Sequence, residues 1–143
     1  MKIDEAIQKA IQGHLGYTDE EMALFMGNPR NLDIISKSAV LMSKTIVIEV
    51  IEASGCNSRH KAGDKFIFDG AGNLITKLNP DKICCFALGM MPGLIFAAHE
   101  LLYAGVDPNE MRFKRTGCLD TGVKCGGWGH IVMEIRVEDR KKI

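Results

Sequence analysis

Lys44-Thr45-Ile46-Val47-Ile48-Glu49-Val50-Ile51-Glu52 is the stretch where the hydrophobic period changes from three-four to two. β-Branched residues crowd it, and such side chains suit a pleated surface, so it predicts a strand. His130-Ile131-Val132-Met133-Glu134-Ile135-Arg136-Val137-Glu138 alternates in the same way and is the best partner for the first. Lys65-Phe66-Ile67-Phe68 and Leu74-Ile75 flank Asp69-Gly70-Ala71-Gly72-Asn73, which is turn chemistry between two short strands. Asn79-Pro80-Asp81 has the form of a helix start, Asn as cap and Pro at the first position, leading into Ile83 to Met91. Pro92 bends or restarts that helix, Leu94, Ile95, Ala98, Leu101 and Leu102 give it an apolar face, and Gly105 ends it. Asp107-Pro108-Asn109-Glu110 is a further one-turn start.

Upstream of Lys44 the pattern is helical. Ile3, Ala6, Ile7, Ala10 and Ile11 recur at three-four spacing until Gly13 or Gly16. Thr18-Asp19-Glu20-Glu21 forms a capping box before Met22, Leu24, Phe25 and Met26, and Gly27-Asn28-Pro29 breaks that run. A third helix is expected from about Asn31 to Met42. The reading is an α+β fold: a small, mostly antiparallel sheet packed with a central helix (residues 44–143), preceded by an N-terminal helical layer (residues 1–43).

The 143 residues are 46% hydrophobic and 25% charged, with 18 basic side chains against 18 acidic ones. That is one domain's worth of globular chain. Zero net charge leaves no field to draw in a phosphate backbone, so nucleic acid is not expected. It also does little to prevent self-association, and a homo-oligomer or a subunit of a larger enzyme is expected. No uncharged apolar run of about eighteen residues is present to cross a bilayer; the closest approach, Ile83 to His99, contains Pro92. The first residues pass straight into an amphipathic pattern, without the layout of a signal peptide. Five cysteines are an odd number, too sparse for a disulfide-stapled domain, and are expected as thiols or ligands in a reducing cytoplasm.

Chemistry concentrates around those cysteines. Cys56 and His60 form a C-x3-H pair in the loop after the first strand, and thiolate and imidazole so spaced can reach one metal ion at bond lengths of about 2.0 to 2.3 Å. Cys84 and Cys85 fall about one turn into the expected Asn79-capped helix, where the dipole favours a thiolate. Adjacent helical residues diverge by about a hundred degrees, so one of the two would share a site with Cys56. Cys118 and Cys125 frame a segment with five glycines between Gly117 and Gly129; such a backbone can approach a group closely and aim amides at sulfur. Gly126, Gly127 and Trp128 would there contact and shield a cofactor.

Cys56, Cys84 or Cys85, Cys118 and Cys125, with His60 as substitute ligand or neighbour, therefore make a soft four-ligand set suited to zinc or an iron–sulfur cluster. Their spacing matches no standard ferredoxin or zinc-ribbon run. The alternative is a cysteine-dependent enzyme with Cys56 as nucleophile, His60 as base and Asp64 as orienting acid, acting on a small thio- or acyl-type substrate. A third class is a metal-free interaction module in which the cysteines merely pack. His99 reads as a core or interface histidine, Asp120 as a turn residue, and His14 and His130 carry no constellation.

Gly55-Cys56, then His60-Lys61-x-Gly63-Asp64, a hairpin, Cys84 and finally Cys118-x-Asp120 before the last strand resemble the shared core of a family of small Cys/His-containing proteins from anaerobic bacteria and archaea. The resemblance covers about residues 45 to 138. It implies a common site at Cys56, His60, Gly63, Asp64, Cys84 and Cys118, and brings no activity with it. Where the family has Pro after the later cysteines, this chain has Cys85 and Leu119, and it adds Cys125 with Gly126-Gly127-Trp128-Gly129.

Overall fold

The computed structural model describes residues 3–141, and the architecture is α+β. Helices α1 (Glu5–Leu15), α2 (Asp19–Met26) and α3 (Pro29–Met42) come first, then strands β1 (Lys44–Ser54) and β2 (Lys65–Asp69), helices α4 (Cys85–Leu88) and α5 (Pro92–Tyr103), and strands β3 (Arg115–Gly117) and β4 (His130–Asp139). The strands form one antiparallel sheet in the order β2-β1-β4-β3. Two compact units divide the chain, Met1–Ala39 and Val40–Ile143.

In the first unit Asp4 and Thr18 cap their helices. The Thr18 hydroxyl accepts from Glu21 N–H while the Glu21 carboxylate accepts from Thr18 N–H, the reciprocal box that the sequence spells. Gly16 closes α1 in the left-handed conformation that glycine adopts without penalty.

In the second unit, alternation along β1 and β4 sends Ile46, Ile48, Val50, Ile131, Met133, Ile135 and Val137 to one face, where they join Phe66 and Phe68 of β2 and Ala87, Met91 and Ala98 of the helical segment. β1 and β4 pair along almost their whole length, with Ile48 opposite Ile135, until a bulge between Val50 and Glu52 shifts the register. A bulge bends the strand and re-aims the residues beyond it. Past that point Ser54 lies opposite His130, so the loop after β1 starts beside the glycine-rich loop that precedes β4.

Several local expectations are corrected. Leu74 makes a single bridge to Phe68 instead of a strand, and the chain turns into a 3-10 helix at Thr76–Leu78. Asn79 does not cap a helix, because its amide ties the outer edge of β2 to the Ile75 backbone: Ile67 N–H donates to Asn79 Oδ1 at 2.9 Å, and Asn79 Nδ2 donates to the carbonyls of Ile67 (2.8 Å) and Ile75 (2.7 Å). The helix therefore starts later, with Cys84 as the residue before α4 and Cys85 as its first. Strand β3, three residues long, has no counterpart in the sequence pattern.

By length and composition, Cys85–Tyr103 is the one stretch among the described residues that is apolar enough to cross a membrane, with mean hydropathy 1.5. It is not one continuous α-helix, since turns occupy residues 89–91, and Ala87, Met91 and Ala98 pack into the core.

Candidate functional site

Three chain segments that are distant in sequence meet at one end of the sheet. Cys56 follows β1, Cys84 precedes α4, and Cys118 follows β3. All three line a single cavity of about 310 Å³ together with His60, Asp120, Trp128 and His130. Phe86, Ala87 and Ile131 supply apolar wall, and Asn57 and Ser58 supply polar edge. All five cysteines are free thiols.

Cys56 is placed by backbone proximity. A Cβ on Gly129 would overlap the Gly55 carbonyl and come within 2.8 Å of the Cys56 amide, and a Cβ on Gly55, at φ 61°, would press on the Trp128 carbonyl. Only two facing glycines allow this approach. A turn then closes from Arg59 N–H to the Cys56 carbonyl at 3.0 Å. Arg59 takes φ 60°, a conformation rare for a residue with a side chain, and the next residue, His60, is delivered inward and buried.

His60 acts as a clamp. Its Nε2 accepts the Cys84 N–H at 3.2 Å, Nδ1 faces Asp64 Oδ2 at 3.7 Å, and its ring stands edge-on to Phe66. Asp64 in turn accepts the Lys61 N–H at 3.0 Å. Both ring nitrogens are engaged, and the His-Lys-x-Gly-Asp segment ties the loop after β1 to the start of α4.

At Cys84, burial pushes the thiol up, but the Ser58 hydroxyl and the Ala87 and Phe86 amides, which all favour the thiolate, more than offset it. The thiol titrates below its ordinary value of 9.0 although the Asp120 carboxylate opposes this.

Cys118 prolongs the β3–β4 ladder: its N–H donates to the Ile131 carbonyl at 3.1 Å, and the Ile131 N–H points back at Cys118 Sγ at 3.5 Å. His130 Nδ1 lies 3.6 Å from the same sulfur and also bonds the Asp120 carbonyl. A Cβ on Gly117 would sit 2.6 Å from His130 Nε2, so the ring rests on the Gly117 backbone.

Asp120 organises the glycine-rich loop. Its Oδ1 accepts Gly122 and Trp128 N–H at 3.0 Å each, and Oδ2 accepts Gly129 N–H at 3.1 Å. The Gly122 and Gly129 amides, then the Trp128 amide and nearby His130, hold this carboxyl below its ordinary value of 3.8 despite some desolvation.

Of the residues singled out from sequence, Cys56, His60, Cys84, Cys118 and Trp128 line the cavity. Asp64 reaches it only through His60. Cys85 and Cys125 are exposed and lie outside the lining, and so do Gly126 and Gly127, which shape the loop behind Trp128. His130 is the residue that sequence reasoning left out, and Asp120, read there as a turn residue, both holds its loop and lines the cavity. Their signal is weak: an Asp two residues after a cysteine and a His opening a strand become neighbours only when β3 pairs with β4. Among the described residues, no group of three or more His, Cys, Asp and Glu side chains stands where it could hold a metal ion.

The molecule is thus an α+β protein whose sheet end carries a three-thiol cavity braced by two histidines and a loop-organising aspartate. Compared with protein-family models, curated proteins and solved structures, the chain matches none.

Proposed function

We propose that the cavity is a soft metal centre of the iron–sulfur type, held by the thiolates of Cys56, Cys84 and Cys118, and that the protein serves as a small accessory or redox subunit. The observation that carries this reading is the convergence of three thiols from separate segments on one cavity of about 310 Å³. A single zinc ion would draw its sulfurs to about 3.8 Å from one another, given bonds near 2.3 Å in a tetrahedron. No trio of His, Cys, Asp and Glu side chains is gathered at a point among the described residues, and the shared cavity, not a preformed ligand trio, carries the proposal.

The amide and hydroxyl donors around the sulfurs support the same reading. Ile131 N–H at Cys118, and the Ser58, Phe86 and Ala87 donors at Cys84, are what several thiolates need to share a site without prohibitive charge. When bound, such a cluster supplies one-electron transfer or a Lewis-acidic iron. The chain's own part is to hold three thiolates, to fix two of their loops through His60 and Asp120, and to set Trp128 at the rim of the site. The exposed Phe86, Phe96 and Trp128 favour a partner subunit or a second copy, and free thiols of this kind suit a reducing, cytoplasmic setting.

The test is iron and acid-labile sulfide analysis, with an ultraviolet-visible spectrum, on protein purified without oxygen. Iron with matching sulfide is expected, abolished in the Cys56→Ser/Cys118→Ser double variant; folded protein free of both would refute the reading. A second reading, favoured by the depressed titration of Cys84, is thiolate catalysis with Cys84, in place of Cys56, as nucleophile. It predicts one thiol that iodoacetamide alkylates far faster than the others near neutral pH.

A further inference from the structure

The face of the sheet turned away from the core carries a groove that the thiol site does not use. Ile67, Val47 and Arg136 stand side by side across β2, β1 and β4. Each lies between two residues of the buried cluster, Phe66 and Phe68, Ile46 and Ile48, or Ile135 and Val137, so alternation sends all three to the opposite face. They floor a groove of about 630 Å³ whose lining comes entirely from the second unit.

One wall is the 3-10 turn after β2. By bonding Ile67 and the Ile75 carbonyl, the Asn79 amide holds Ile75, Lys77 and Leu78 along the groove. The other wall is the end of β4, where Arg140 N–H donates to the Ser43 carbonyl at 2.7 Å and Arg140 and Lys141 reach the lining. Val47 is 3% exposed, while Leu78 leaves 47% of its surface open. The carboxylates nearby are already engaged: Glu49 and Glu138 pair with Arg136, Asp139 pairs with Lys44, and Asp69 accepts N–H groups from Ala71 and Asn73. Lys65 and Lys141 lie near Glu138, and Arg140 near Asp69, but among the described residues none of the three, nor Lys77, forms an ion pair.

We propose that this groove binds a small amphiphilic anion, a long-chain carboxylate, with its carbon chain along Val47, Ile67 and Leu78 and its head on the cations of the two walls. Concave, largely apolar sites of this volume suit small ligands. Burial of the chain supplies the attraction, and charge-assisted contacts from Lys and Arg select the head. Val47, at the floor, is out of reach of a flat bilayer surface, which favours a single molecule as occupant.

Isothermal titration calorimetry of the full chain at low ionic strength tests this with dodecanoate held below its micellar concentration. Dodecyltrimethylammonium supplies the same carbon chain with the opposite head, and acetate the head without the chain. Saturable binding of dodecanoate is expected, with each comparison ligand weaker by about tenfold or more, since one charge-assisted contact is worth about a factor of ten. Lys77→Glu/Arg140→Glu should lose that binding while keeping the native circular dichroism, Lys77→Arg/Arg140→Lys should keep it, and Phe96→Ser, on α5, should leave it unchanged. Equal binding of the two dodecyl ligands, unchanged binding in the charge-reversed variant, or no heat with dodecanoate would overturn the proposal. So would binding to phosphatidylglycerol vesicles with none to free dodecanoate, which marks a membrane surface, or conversion of a dimer to a monomer in the charge-reversed variant, which marks a contact between copies.

Discussion

At the scale of single residues, Cys84 and Asp120 are the two groups whose chemistry the fold alters most informatively. Because Cys84 titrates below its ordinary value of 9.0, its alkylation by iodoacetamide should reach half-maximal rate below that pH. Mass spectrometry of a pH series reads this directly. A thiol with a depressed folded value adds stability above its unfolded pKa, and that contribution falls away as pH drops through the folded one. Ser58→Ala removes one donor that favours the thiolate and should move the midpoint up. Asp120 obeys the same sign in the acid range. Its loop-holding contribution is complete above the ordinary value of 3.8 and is lost as pH falls through its lower folded value. Emission from Trp128, the sole tryptophan, should report the loop loosening there, and Asp120→Asn should show that loosened spectrum at neutral pH.

Among the elements, the edge of β2 and the paired glycines carry the largest consequences. Asn79→Ala would strip two hydrogen bonds from that edge and one from the Ile75 carbonyl; the Ile67 carbonyl keeps the Ile75 N–H but the Ile67 N–H is left unmet, which costs about 1–3 kcal/mol, and a lowered urea midpoint with unchanged slope is expected. Gly129→Ala would force a methyl group into the Gly55 carbonyl. Overpacking of this kind costs about 1–3 kcal/mol, and here it should also displace Cys56, so a lowered urea midpoint should come with a changed alkylation rate at that thiol. The period-two runs of β1 and β4 and the Thr18 capping box are legible in sequence because each is a local matter of side-chain alternation or of a cap reaching its own first turn. The Asn79 helix start misleads for the opposite reason. A cap signal is local, but the amide is taken by Ile67, twelve residues earlier, and sequence periodicity holds no information about that competitor. β3 is three residues long, too short to show a period.

For the molecule as a whole, the second unit contains the entire buried cluster, from Ile46 to Val137. Removing residues 1–39 should therefore leave a cooperative thermal transition and the same near-ultraviolet circular dichroism; a broad, non-cooperative melt would show that the helical unit is needed to complete the core. Within that core Met133 is fully buried, and Met133→Ala should cost about 2–5 kcal/mol in a denaturant titration.

By itself the sequence determined the α+β class, the helical start, the two long strands and the set of residues worth suspecting, since amphipathic period and residue type are properties of the chain read in order. Which cysteines share a site was decided only by tertiary structure. Cys56, Cys84 and Cys118 are separated by tens of residues and meet because a bulge in β1, a close passage of Gly55 over Gly129, and the pairing of β3 with β4 bring their loops to one end of the sheet. The same packing set Cys85 and Cys125 outside the cavity and drew His130 and Asp120 into it. Long-range pairing is a property of the folded surface, and no local pattern encodes it.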